Sequence, residues 1–400
     1  MCKKLYFIYE RALFESLEDH FDRKLITVVT GMRRVGKTTA VKYLLEKVAH
    51  DNKAYIDFEK IEHRHIFMQP SYKEVQIELE ILGIDFSKPA VIALDEVQLV
   101  GASTSIIKYF YDHFDIKFII TGSSSFYLKD QFSESLAGRK RIFEMFPLNF
   151  EEYLHFREED TRLIRQFAMS PYRSGLYLKY KEAYEDYLRF GGFPEVVLSD
   201  SEEEKEAYLK DVINAYIELD IKLLSDFEAS HDLYQLIRLL AERVGSPLEV
   251  SRLASILGIN RNKVKSYLEL LQRTYFVIVL PPFTKNLSRE ISLRSKLYLA
   301  DTGLLQQLAQ TSSGQVFENA IAAQLFPTGD LRYYQRKSGQ EIDFILNGEK
   351  AFEAKETPTP SDYQRLEKRA RQLELPDCAL IGRYPPQGGF TDFIWGGVVG

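Results

Sequence analysis

The segment Gly31-Met32-Arg33-Arg34-Val35-Gly36-Lys37-Thr38 constrains this chain most, because it matches G-x-x-x-x-G-K-[ST] in the context that pattern requires. A β-rich run, Leu25 to Thr30, leads into it, and a helical run, Ala40 to Val48, leaves it. Glycines let backbone N–H groups approach phosphate oxygens, and the N-terminus of the following helix favours negative charge. Lys37 is placed to bridge β- and γ-phosphates, and Thr38 to ligate magnesium.

That strand, loop and helix open a longer rhythm. Lys53 to Phe58, Ala90 to Leu94, Phe118 to Thr121 and Arg141 to Phe146 are further β-rich runs, with helical stretches between them. Several are apolar without alternation, as expected of central parallel strands covered on both faces. The run Ala90 to Leu94 ends in Asp95-Glu96, two carboxylates at the strand edge where open α/β sheets bind ligands. Asp95 is expected to hold the magnesium shell. Glu96, pointing to the opposite face, is free to orient or deprotonate an attacking water. Phe118 to Thr121 runs into Gly122-Ser123-Ser124-Ser125, where Ser123 or Ser124 is the candidate γ-phosphate sensor and a plain Ser-rich turn the alternative.

Four hundred residues allow two to four domains, and 45% hydrophobic with 28% charged residues is a globular composition. From Phe150 to about Asp226 the β signal disappears into Tyr- and Glu-rich helical sequence, broken by Ser170-Pro171 and Gly191-Gly192-Phe193-Pro194, which reads as a helical lid. The formal charge is −6, yet residues 231–300 carry eleven Lys and Arg against five Asp and Glu, a local +6. Only Cys2 and Cys378 are present, which excludes a disulfide framework and fits a reducing cytoplasm. The residues from Met1 to Glu10 lack the apolar core of a secretion signal, and the apolar runs, about five residues each, fall far short of the roughly twenty that cross a bilayer.

Within the basic segment, Ser246 to Leu257 has a helical pattern, Gly258-Ile259-Asn260 reads as a turn, and Arg261 to Thr274 as a second helix with Val264, Tyr267, Leu268 and Leu271 on one face. Phe276 to Leu280 adds a β run. The spacing is that of a winged helix, with Arg261, Lys263 and Lys265 near the start of the helix that would meet duplex DNA. The alternatives are a winged helix that serves as a protein docking or packing module, and a basic segment that is only a solvated face. Farther on, Asp343 and Glu353-Ala354-Lys355 fit D-x9-E-x-K, the pattern of metal-dependent nucleases, across a hairpin turned at Asn347-Gly348. Glu318 is available to complete the metal shell, and a buried ion-pair network is the competing explanation for all four residues.

Taken together, Gly31 to Thr39 with its paired arginines, Leu94-Asp95-Glu96, Gly122 to Ser125, Leu136-Ala137-Gly138-Arg139, Pro147-Leu148-Asn149-Phe150 and Gly191 to Pro194 resemble prokaryotic AAA-superfamily P-loop ATPases with a C-terminal domain of unknown function. The resemblance implies an α/β P-loop NTPase fold with a parallel sheet of order 5-1-4-3-2, a helical lid, a winged-helix domain and a terminal restriction-endonuclease-like α/β domain. It implies ATP or ADP with Mg2+, held by Gly31, Arg33, Arg34, Val35, Gly36, Lys37, Thr38 and Thr39. Tyr9 and Arg11 fall where family members meet the adenine edge, with aromatic core packing the alternative for Tyr9, and Pro194 where the lid closes over the nucleotide, with a plain interhelical turn the alternative for Gly191 to Pro194. Arg139 looks like an arginine finger, for the same site or for a neighbour in a homo-oligomer, or else a surface arginine. The expected domains are 1–150 (ATPase core), 151–228 (lid), 229–310 (winged helix) and 311–400 (nuclease-like). The leading expectation is an ATP-hydrolysing switch or motor on DNA. The alternatives are a nucleotide-gated DNA-binding regulator with an inert terminal domain, and a metal-dependent nuclease controlled by the ATPase.

Overall fold

A computed structural model describes residues 8–122, 136, 138–220, 229–284, 293–336 and 339–400. Ser123 and Ser124 lie outside the described residues, as do Lys285 and Arg289 of the basic segment. The chain divides into two compact units, Met1–Phe146 with Arg273–Tyr275, and Pro147–Gln272 with Phe276–Gly400.

The first unit runs α1 (Ala12–Phe21), β1 (Ile26–Gly31), α2 (Lys37–Lys47), β2 (Lys53–Asp57), α3 (Ile61–Phe67), α4 (Tyr72–Ile81), β3 (Ala90–Asp95), α5 (Ser103–His113), β4 (Ile116–Gly122) and β5 (Lys140–Met145). All five expected strands form, in the parallel order β2-β3-β4-β1-β5, which is 5-1-4-3-2 read from the other edge. Every residue of β1 and β3 is buried, which explains why neither run alternates. Val28, Ile56, Ile92, Leu94 and Ile120 belong to one core cluster, each contributing on the order of 1.5–3 kcal/mol of burial. The result for function is positional: β1 and β3 deliver Gly31 and Asp95 to the carboxyl edge of the sheet.

The second unit begins with helices α6 (Phe150–Phe156), α7 (Arg162–Gln166), α8 (Ser174–Phe190), α9 (Pro194–Leu198) and α10 (Glu202–Ala215). Next come α11 (Ala229–Ala241), α12 (Val250–Leu257), α13 (Arg261–Arg273) and the antiparallel pair β6 (Val277–Leu280) and β7 (Lys296–Leu299). Gly258 stops α12 in the left-handed region at φ 68°, and Asn260 starts α13 by accepting the Lys263 N–H at 2.8 Å. The helix expected from Ser246 starts only at Val250. Gly245 and Leu248 instead donate to the carbonyls of Leu297 and Ser295, at 3.0 and 2.8 Å, so the residues around Pro247 run alongside β7.

The chain closes with α14 (Thr302–Leu308), α15 (Ser313–Leu325), β8 (Leu331–Gln335), β9 (Glu341–Leu346), β10 (Lys350–Lys355), α16 (Pro360–Gln372), β11 (Asp377–Gly382) and β12 (Ile394–Trp395). Strands β8 to β12 form one mixed sheet, antiparallel from β8 to β10 and parallel from β10 to β12. Asn347 and Gly348, at φ 54° and 70°, make the expected tight turn between β9 and β10. No helix among the described residues is long and apolar enough to cross a membrane.

Candidate active site

The loop between β1 and α2 closes through Gly36, whose φ of 100° lies in the region that favours glycine. The first bond along α2 runs from Ala40 N–H to the Gly36 carbonyl at 3.0 Å, so the preceding helical N–H groups form a donor-rich N-terminus. Lys37 is 4% exposed and its ammonium is turned into the loop, donating to the carbonyls of Met32 and Gly31 at 3.0 and 3.2 Å. Thr39 is an exposed residue of the same first turn. Arg33 pairs with Glu59 at 3.2 Å, Arg34 occupies the left-handed region at φ 67°, and the Val35 side chain is buried.

Asp95 and Glu96 meet this loop as the sequence suggests. Thr38 Oγ1 donates to Asp95 Oδ2 at 2.7 Å, bringing together a hydroxyl and a carboxylate that suit a hard, oxygen-seeking cation such as Mg2+. Glu96 adopts φ 55°, uncommon for a non-glycine residue, and its carboxylate lies 3.8 Å from the Lys37 ammonium. Gln98 donates to the same carboxylate.

Two further groups on Asp95 escape sequence reasoning. Tyr55 Oη, from β2, donates to Oδ2 at 2.6 Å, and Thr121 Oγ1, from β4, donates to Oδ1. Thr121 Oγ1 also accepts the Glu96 N–H at 3.0 Å, tying both acidic residues to β4. Burial and the bond to Asp95 push the Tyr55 phenol far above its ordinary range, so it stays a neutral donor. No local signal marks either residue: Tyr55 reaches Asp95 because β2 pairs with β3, and Thr121 because β4 pairs with β3 on its other side.

Arg11 is 8% exposed and donates to the carbonyls of Val35 and Phe146 at 3.2 and 3.0 Å, so its guanidinium braces the loop backbone. Tyr9 is half-buried. Arg139 corrects one expectation. Its carbonyl accepts the N–H of Ile26, the first residue of β1, whereas the phosphate loop leaves the far end of that six-residue strand, roughly 17–20 Å away. Arg139 therefore does not reach its own chain's phosphate loop, and it pairs with Asp112 at 3.0 Å.

In the second unit, Gly191-Gly192 surround a buried carboxylate. Gly192 N–H donates to Asp301 Oδ2 at 2.7 Å, and a Cβ on Gly191 would lie 2.1 Å from Asp301 Oδ1. Asp301 also caps α14 through Leu304 N–H at 3.1 Å, and burial raises its pKa to about 6. Pro194 is the first residue of α9, a position suited to its fixed φ.

The C-terminal acidic residues come together differently from the expected magnesium shell. Glu353 is held by Lys355 at 2.9 Å and by Arg369 at 3.2 Å, while Asp343 accepts the Ala354 N–H at 3.0 Å. Glu318 accepts the Tyr298 hydroxyl at 2.6 Å and lies 3.6 Å from Lys296, a 2%-exposed lysine that also pairs with Glu341. Burial first, then the charge of Glu318, raises the Asp343 pKa to about 7. Among the described residues, no three His, Cys, Asp or Glu side chains gather in a way that could hold a metal ion. Of the expected DNA contacts, Arg261 and Lys265 lie exposed on α13, while Lys263 is bonded to Asp232 at 2.7 Å.

The sheet order, the glycine loop at the carboxyl edge of β1 and the Thr38–Asp95 pair define a P-loop nucleotide-binding domain. Residues 23–154 match the family model of the AAA domain, and residues 181–315 match a domain of unknown function (DUF8612), so the N-terminal part of the chain is an AAA-type P-loop domain. Similar curated sequences include an uncharacterized protein of Methanocaldococcus jannaschii, 26% identical over 89% of this chain and 81% of its own length. Another, from Haemophilus influenzae, is 24% identical over 81% and 80%. Among solved structures, the Aeropyrum pernix ORC1 protein in complex with DNA resembles the chain at TM-score 0.32, with 12% identity over 78% of this chain and 91% of that one. AMPPCP-bound DnaA from Aquifex aeolicus does so at 0.26, with 13% identity over 64% and 86%. Both likenesses are too distant to carry an argument about activity.

Proposed function

We propose that this protein binds and hydrolyses ATP and uses the cycle as a switch or motor on DNA. The observation that carries the reading is the contact of Thr38 with Asp95, with Lys37 and Glu96 beside it. Thr38 and Asp95 would hold magnesium, which when bound neutralises charge on the phosphate oxygens. Lys37 leaves its loop carbonyls for phosphate oxygens. Glu96, held by Gln98, accepts a proton from or orients the attacking water. Ser123 or Ser124 remains the proposed γ-phosphate sensor, Tyr9 and Pro194 the proposed nucleotide contacts, and action of Arg139 on a neighbouring copy the proposed trans role.

We read α11 to α13 with β6 and β7 as a winged helix, and the five-stranded C-terminal sheet as a restriction-endonuclease-like fold. Exposed Arg261 and Lys265 on α13 support duplex DNA as the partner. The pairing of Glu353 with Lys355 and Arg369 favours an inert terminal domain over a nuclease. Two cysteines far apart in the chain fit a cytoplasmic setting.

The test is the variant E96Q. It should keep ATP binding and lose phosphate release. Undiminished phosphate release in E96Q overturns the assignment, and absence of adenine-nucleotide binding by the wild-type chain overturns the function.

A further inference from the structure

The +6 segment is less free than its composition suggests. Lys263 is bonded to Asp232, Arg294 to Glu249, and Lys296 to Glu318 and Glu341. Arg243 and Arg252, by contrast, have no ion-pair partner among the described residues. They line one cavity of about 260 Å³ together with Arg294, between the end of α11, the start of α12 and β7. Its floor is apolar, formed in part by the buried Leu240, Leu253 and Leu297. Glu249, the acid lining the cavity, already offsets Arg294, so the lining keeps the charge of Arg243 and Arg252. The volume is below the roughly 300–1,000 Å³ of sites that enclose small organic ligands, and suits a single tetrahedral anion.

We propose that this cleft is a phosphate-binding site that grips the nucleic-acid backbone, with Arg243 and Arg252 as its cationic ligands. It rests on the DNA-binding reading and moves the main electrostatic contact away from Lys263, whose charge is already spent on Asp232. Guanidinium groups suit the role because their planar forks bind phosphate oxygens in pairs.

The test is duplex binding by the full chain, measured with a mixed-sequence duplex against salt concentration. Each phosphate neutralised contributes about −0.9 to the slope of log K against log salt, so R243Q/R252Q, which removes the one phosphate held in the cleft, should flatten the wild-type slope by roughly 1. R243K/R252K should restore the slope, and the charge-neutral pair D232N/K263Q should leave it unchanged. Thermal melting of each variant separates loss of the fold from loss of the contact. An R243Q/R252Q slope equal to wild type overturns the cleft while leaving DNA binding intact. Absence of any salt-dependent duplex binding by the wild-type chain overturns the parent reading instead. Inorganic phosphate at matched ionic strength gives a further arm: if it stabilises wild type but not R243Q/R252Q while the duplex slopes coincide, the site takes free phosphate and the backbone assignment is wrong.

Discussion

Tyr55 and Asp95, on neighbouring parallel strands, are joined by a 2.6 Å hydrogen bond to the same carboxylate oxygen that Thr38 engages. A buried carboxylate depends on such donors, and a hydrogen bond to a charged group is worth about 1.5–3 kcal/mol. Y55F should therefore raise the Mg2+ concentration for half-maximal ATP turnover by about tenfold to a hundredfold, with turnover at saturating Mg2+ within about twofold of wild type. In a D95N background the same substitution should have no further effect on magnesium dependence. Titration of turnover against Mg2+ in the four proteins checks this.

Gly191 has no room for a side chain and a φ of 79°. G191A should destabilise the second unit by about 2–4 kcal/mol, from backbone strain and displacement of Asp301. Urea unfolding followed by a second-unit probe, Trp395, measures it, since that is the chain's only tryptophan.

Asp301 gives a pH signature. Its pKa is about 6 in the folded chain against 3.8 ordinarily, so the native state holds the proton more tightly than the unfolded state. Its favourable contribution is fully present below pH 4 and is lost as pH rises to about 6, a difference of roughly 3 kcal/mol. Relative to D301N, wild-type stability should fall across that window and run parallel above pH 7. Unfolding curves at pH 4, 5, 6 and 7.5 for both proteins test the slope.

Arg139 and Asp112 are each about one-third exposed, so their pair should contribute no more than about 1 kcal/mol. R139A should leave turnover of the monomeric chain within about twofold of wild type. A loss of a hundredfold or more, appearing only where the protein self-associates, would identify a role at a neighbour's site.

Lys296 is 2% exposed and holds two carboxylates, Glu318 and Glu341, that are themselves 24% and 31% exposed. K296M leaves both without that cation in a partly hydrated setting and should cost about 1–3 kcal/mol of stability. Chemical denaturation of wild type and variant reads the difference directly.

The strands of the first unit were legible because buried parallel strands appear as unbroken apolar runs, and the phosphate loop because its residues are contiguous. The roles of Tyr55 and Thr121 were not, since they depend on which strands lie beside β3 and in what register. The Gly191-Gly192 pair has the sequence of a lid turn, yet the carboxylate it encloses lies 109 residues farther along the chain from Gly192. Residues 246–249 show the same limit: their helical pattern gives way to partners near Ser295 that no local window contains.

Tyr275 donates to Glu144 on β5 at 2.8 Å and counts with Arg273 and Thr274 in the first unit, although more than a hundred residues separate them from Phe146. The nucleotide-handling part of this molecule is thus sewn from two stretches of polypeptide. A fragment cut near residue 150 keeps every phosphate-loop and acidic residue, but forfeits the late-arriving tyrosine that fastens the last strand. During synthesis, too, that fastening waits until most of the protein has left the ribosome.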